Sequence, residues 1–170
     1  MKNEVYRAKL FATAAHAAVG QIRKYTLDPY MVHPIEVAHI VRTVPCTDAM
    51  IAAAYLHDVL EDTRVTEAEL RDAFGDEITN LVLWLTDVSK PSDGVRAVRK
   101  RIDREHTAKA PAEAQTVKVA DLISNSRSIT KYDPEFAKVY LQEKLLLLEV
   151  LTKADATLRQ QAYKICKENL

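Results

Sequence analysis

Apolar residues recur at three- and four-residue spacing through nearly the whole chain, and strand-like alternation is almost absent. That pattern restricts the fold to packed helices, because each apolar stripe must be buried against another helix. Only three glycines occur in 170 residues, well below the average usage of about 7%. An all-α fold follows. The spacing predicts helices over 3–20, 34–44, 47–61, 66–74, 76–88, 93–108, 112–129, 134–153 and 155–168. The punctuation agrees. Thr47 can cap a helix, and Thr66 to Glu69 has capping-box spacing. Gly75 fits a helix C-terminus, and Pro34, Pro111 and Pro134 fall where first helical turns tolerate proline. No repeat or linker interrupts the pattern, so the expectation is one compact helical bundle spanning 1–170.

Apolar residues make up 48% of the chain, as in globular proteins. Lys+Arg and Asp+Glu are both 24, which gives a formal net charge of zero. That balance argues against a nucleic-acid polymer or a membrane surface as partner, while leaving room for a local basic pocket. Cys46 and Cys166 lie far apart and outside any CxxC pattern, as expected of thiols in a reducing compartment. Arg7, Lys9 and His16 interrupt any signal-peptide core, and no run approaches the roughly 18 apolar residues of a membrane span. A soluble cytoplasmic protein is expected.

One stretch departs from ordinary core patterning. In "AAAYLHDVLEDT" (52–63) an apolar helix ends in His57, Asp58, Glu61 and Asp62. On a continuous helix, His57 and Glu61 share a face, as do Asp58 and Asp62. The helix macrodipole disfavours carboxylates at this end, so three acids there are costly unless a cation compensates. A divalent metal would serve. Set against this, an exposed helix end carrying "EDT" and a chance His-Asp doublet require no ligand.

Two further places favour the metal. In "PYMVHPIEVA", His33 precedes Pro34 at a helix entrance, where proline biases it toward an extended, rigid corner. In "TVKVADLISNSRS", Asp121 lies in an apolar run, with Asn125 one turn later. A carboxylate in such a run is expensive unless paired, so a metal or an arginine is expected near it. His33, His57, Asp58 and Asp121 make a mixed N/O donor set that suits Mn²⁺, Fe²⁺ or Zn²⁺ better than Mg²⁺. Such an ion activates water and polarises a phosphoryl group. Glu61 and Asp62, one turn on, are placed to orient that water and move its proton.

His33, the His57-Asp58 doublet and Asp121, in that order, resemble the HD-domain metal phosphohydrolases. "RKY" (23–25), "PYMVHPIEVA", "AAYLHDVLEDT", "FGDEITNLVLWLTDVSK" and "VKVADLISNSRS" are similar to the hydrolase domain of the RelA/SpoT family, over roughly residues 5–155. With no synthetase or regulatory segment within these residues, the stand-alone small alarmone hydrolases are the most similar branch. The resemblance implies a single HD hydrolase domain. Its expected activity is that of a Mn²⁺-dependent 3′-pyrophosphohydrolase of (p)ppGpp, releasing pyrophosphate and leaving GDP or GTP. It implies His33, His57, Asp58 and Asp121 as metal ligands and Glu61 and Asp62 as the catalytic acid pair. Arg23 and Lys24 fall at the basic pair beside the nucleotide, and Asn125 and Ser128 at the ribose and base pocket. Lys90 falls near the phosphates, and Lys138 and Tyr140 are candidates for closing the pocket. Two departures matter. "TLDPY" replaces the usual glycine-containing approach to the histidine, and "ADLISNSRS" lacks a basic residue after "AD". The second leaves an adenine alarmone such as (p)ppApp open as substrate.

Helix 93–108 carries Arg96, Lys100 and Arg104 at four-residue spacing opposite Val95, Val98 and Ile102. This is either a solvated face over a core stripe or a phosphate contact. His16, His39 and His106 lack ligand spacing and read as structural, and Trp84 reads as core. The apolar run 145–151 reads as a central helix, part of it a candidate homodimer contact. Two other functions compete: a broader HD-type nucleotide phosphohydrolase and a non-catalytic nucleotide-binding module.

Overall fold

The computed structural model describes residues 2–170. These are helical apart from turns, loops and one isolated antiparallel bridge between Ile22 and Pro29. The fold is all-α, as expected. Two compact units make up the chain, the first ending at Thr86 and the second beginning at Asp87.

The first unit holds α1 (Lys2–Ala18), α2 (Val32–Val41), α3 (Asp48–Leu56), α4 (Val59–Asp62) and α5 (Glu67–Leu85). α3 packs against α1, α2 and α5. Met50 through Leu56 are all buried, which accounts for the nearly unbroken apolar run: a helix covered on every side has no polar face. Ala52, Ala53 and Ala54 are fully buried, and their short side chains let neighbouring helices come close. Ala8 and Ala12 line the buried stripe of α1, and His16, four residues further on, continues it. The caps form as expected. The Thr47 hydroxyl accepts from the Met50 amide across 3.2 Å, and Thr66 and Glu69 cap α5 reciprocally. Gly75 adopts φ 73°, ψ −179° within α5, a region almost reserved for glycine. It thus separates the two helices expected on either side of it.

Two expectations near the acidic stretch are corrected. Helix 47–61 is not continuous: α3 ends at Leu56 and α4 begins at Val59. The His57 ring Nδ1 lies 2.8 Å from the Ala54 carbonyl, the acceptor that the Asp58 amide would reach in an uninterrupted helix. The ring therefore competes for the backbone bond at the break. The Asp62 amide still donates to the Asp58 carbonyl at 3.0 Å, which keeps those two acids one turn apart. Nor is His33 at an extended corner. It lies in the first turn of α2, its amide donating to the Tyr30 carbonyl at 3.0 Å. Pro34 follows in the same turn, where a missing N–H costs no helical bond. Trp84 is half-buried rather than enclosed in the core.

The second unit holds a 3₁₀ turn (Pro91–Asp93), α6 (Arg96–Ala108), α7 (Ala112–Tyr132), α8 (Pro134–Val150) and α9 (Ala156–Glu168). α7 packs against α8 and α9, and α8 packs against α6 and α9. Buried Gln115 donates to the Ala108 and Ala110 carbonyls and accepts from the Lys153 amide, so one side chain ties two turns to α7. In the run 145–151, Leu147, Leu148 and Leu151 are buried, while Leu146 is exposed. Val95, expected in the core stripe of α6, is exposed, and Val98 and Ile102 are only half-buried. Cys46 and Cys166 are free thiols. None of the described helices is long and apolar enough to cross a membrane.

Candidate metal centre

The first unit brings His33, His57 and Asp58 together, each offering one ligand atom within 4.8 Å of the others. α2 supplies His33 from its first turn, and the break between α3 and α4 supplies the other two. Both imidazoles are 1% exposed. His57 Nε2 lies 3.0 Å from Asp58 Oδ2, and His33 Nε2 lies 3.8 Å from the same oxygen. These are the spacings of donors that share a cation at about 2.1 Å. The tautomer supports that reading. His57 Nδ1 faces a carbonyl and must carry its proton, so the neutral ring presents an Nε2 lone pair to a carboxylate oxygen. Two acceptors at that distance need a cation between them, either a proton on His57 or a metal shared with His33. The Tyr30 hydroxyl donates to Asp58 Oδ2 across 2.6 Å and so orients the carboxylate, as outer partners of metal ligands do. The donor set fits a divalent transition metal.

Asp62 sits one turn past Asp58. Gln21 Nε2 donates to its Oδ2 across 2.9 Å, and His16 Nδ1 lies 2.7 Å from Gln21 Oε1. Although Asp62 is exposed as a whole, desolvation pushes its carboxyl above the ordinary value; the Asp58 charge adds to the rise and the Gln21 hydrogen bond opposes it. Glu61 lies exposed on α4. In the loop closed by the Ile22–Pro29 bridge, the Arg23 guanidinium stands 5.6 Å from the Tyr30 ring centroid. Lys24 Nζ stands 4.8 Å from the Tyr25 ring.

The remaining expected residues belong to the second unit. Asp121 is buried on α7, accepts from Asn125 Nδ2 at 2.7 Å and pairs with Lys118 Nζ at 3.4 Å. A lysine one turn before it thus supplies a cation to this carboxylate, where the sequence pattern leads one to expect a metal or an arginine. Ser128 is half-buried further along α7. Tyr140 is buried on α8, and burial, followed by the charge of Asp121, holds its hydroxyl well above the usual phenol range. Lys144 stacks on the Tyr140 ring at 4.8 Å. Burial, with Lys118 and Lys100 nearby, brings its ammonium down to about 8. Lys138 is exposed and paired with Glu135. Lys90 is exposed in a segment pinned by buried Asp103, which accepts from the Val88 and Ser89 amides and the Ser89 hydroxyl. On α6, Arg96 is held by Glu143 and Lys100 by Asp87.

The HD domain profile matches residues 8–155. The chain belongs to the HD domain family. Among curated relatives, a GTP pyrophosphokinase of Myxococcus xanthus is 36% identical over 143 residues, covering 81% of this chain and 19% of that protein. A probable guanosine-3′,5′-bis(diphosphate) 3′-pyrophosphohydrolase of Synechocystis sp. is 35% identical over 134 residues, covering 77% of this chain and 17% of its own. The chain thus spans under a fifth of the length of these relatives. A solved structure of a metazoan ortholog of SpoT, described as hydrolysing ppGpp and playing a role in starvation responses, superposes with a TM-score of 0.86 at 26% identity. It covers 97% of this chain and 94% of its own.

Three side chains around this HD domain centre escaped the sequence: Tyr30, Gln21 and His16. Tyr30 reaches Asp58 over 28 residues and Gln21 reaches Asp62 over 41, separations that no local pattern encodes. His16 lacks ligand spacing, and its polar side chain on the buried stripe of Ala8 and Ala12 is the signal it carries in the sequence.

Proposed function

We propose that this HD domain is a metal-dependent 3′-pyrophosphohydrolase of guanosine alarmones, converting ppGpp to GDP and pyrophosphate. The observation that carries the reading is the convergence of the His33 and His57 Nε2 atoms on Asp58 Oδ2, one turn before Asp62. The printed activities of the Synechocystis relative and of the metazoan ortholog support it.

In this account His33, His57 and Asp58, completed by Asp121, hold one Mn²⁺. A divalent ion held there lowers the pKa of a bound water and polarises a phosphoryl oxygen. The protein does the rest. Tyr30 keeps Asp58 aimed. Asp62, with its raised proton affinity, and Glu61 accept the proton that the attacking water sheds and return it to the leaving oxygen. The water oxygen bonds to the phosphorus next to the ribose while the bond from that phosphorus to the 3′ oxygen breaks. The ribose hydroxyl and free pyrophosphate result. Arg23 stacks on the base, with Lys24 beside it. Asn125 and Ser128 line the ribose and base pocket, Lys90 meets phosphates, and Lys138 and Tyr140 close the site.

The test is to incubate Mn²⁺-loaded protein with ppGpp and, separately, ppApp, and to resolve the products by anion exchange. GDP and pyrophosphate from ppGpp support the reading. ADP formed in preference would move it to adenine alarmones, and no product from either would refute it.

A further inference from the structure

The connection from His16 through Gln21 to Asp62 has only one consistent polarity. An ionised Asp62 accepts, so Gln21 must present its NH₂ to Asp62 Oδ2, 2.9 Å away, and its carbonyl to His16. That carbonyl, 2.7 Å from Nδ1, requires a proton on Nδ1. His16 is 1% exposed, and its other nitrogen, Nε2, has no hydrogen-bond partner among the described residues. Packing does not explain this histidine. It occupies the buried stripe of Ala8 and Ala12 on α1, where an apolar side chain would leave no polar atom unsatisfied. The ring also lies against Tyr30, centroids 4.7 Å apart. Tyr30 holds Asp58, so one histidine stands behind both acids.

We infer that His16 and Gln21 are positioning residues for Asp62: the histidine fixes the glutamine amide, and the amide fixes the carboxylate that moves the proton. The inference rests on the hydrolase reading for its catalytic meaning, while the hydrogen-bond polarity can be measured without turnover.

The experiment compares kcat, KM and metal content of Mn²⁺-loaded wild type, His16→Leu, His16→Asn and Gln21→Met with ppGpp. His16→Leu and Gln21→Met are each expected to lose about tenfold in kcat, with KM and metal content unchanged. His16→Asn, whose side-chain N–H falls where Nδ1–H was, is expected to recover to within about threefold of wild type. Gln21 is partly exposed, so its variant reports even if a change at buried His16 impairs folding. Unchanged kcat in both His16→Leu and Gln21→Met overturns the inference. So does a loss that tracks metal content, or His16→Asn no better than His16→Leu. In parallel, ¹⁵N shifts of the His16 ring in metal-free protein should place the proton on Nδ1. A proton on Nε2 overturns the inference whatever becomes of the hydrolase reading. An inert wild type with the proton on Nδ1 refutes that reading alone and leaves the hydrogen-bond chain standing.

Discussion

The Tyr30 hydroxyl donates to Asp58 Oδ2 across 2.6 Å, and that same oxygen faces the Nε2 atoms of both His33 and His57. Tyrosine therefore decides which way the shared carboxylate points. Tyr30→Phe removes the hydroxyl and keeps the ring against His16 and His33. Mn²⁺ affinity, measured by calorimetric titration, is expected to fall about tenfold, the lower end of what loss of an outer partner costs a metal ligand. Unchanged affinity would mean that Asp58 is aimed by its backbone alone.

In the proposed mechanism Asp62 moves a proton rather than holding the ion. Asp62→Asn keeps the shape and the hydrogen-bonding reach but cannot accept a proton. Its kcat is expected to drop by about 10²- to 10⁴-fold with metal content intact. Metal analysis beside steady-state kinetics separates this outcome from loss of the ion.

Lys144 makes stability depend on pH in the metal-free protein. Its folded pKa, about 8, lies below the ordinary 10.5, so the folded state disfavours the cation. The penalty is fully present below pH about 8 and is relieved as pH rises toward 10.5. Lys144→Met removes it. The variant should exceed wild type by on the order of 2 kcal/mol at pH 7 in urea unfolding. The gap should close as pH approaches 10. A gap that widened with pH would contradict the account.

Gly75 carries the kink in α5. At φ 73° and ψ −179° an added side chain meets no neighbour, so the cost of Gly75→Ala is backbone strain alone, about 1–3 kcal/mol. Chemical denaturation reads it directly.

What could be read from the sequence follows the range of the interactions involved. Helix starts at Thr47 and Thr66 were visible because a cap and its amide lie within three residues. The metal-ligand candidates His33, His57 and Asp58 were visible because histidines and acids are anomalous in apolar helices. The break at His57 was not, because it depends on a ring nitrogen turning back to the Ala54 carbonyl, a rotamer that periodicity does not express. At His33 the tolerance of a first helical turn for proline outweighs the extended bias of the residue before it. Val95 has the apolar spacing of a core stripe, but the first turn of that stripe is open to solvent. Tyr30, Gln21 and His16 act through contacts set by tertiary packing.

The most direct test is Mn²⁺ binding and ppGpp turnover measured on the same samples of wild type and Asp58→Ala. The account predicts one ion per chain and pyrophosphate release in the wild type, with both lost in the variant. Undiminished metal binding and turnover in Asp58→Ala would contradict it.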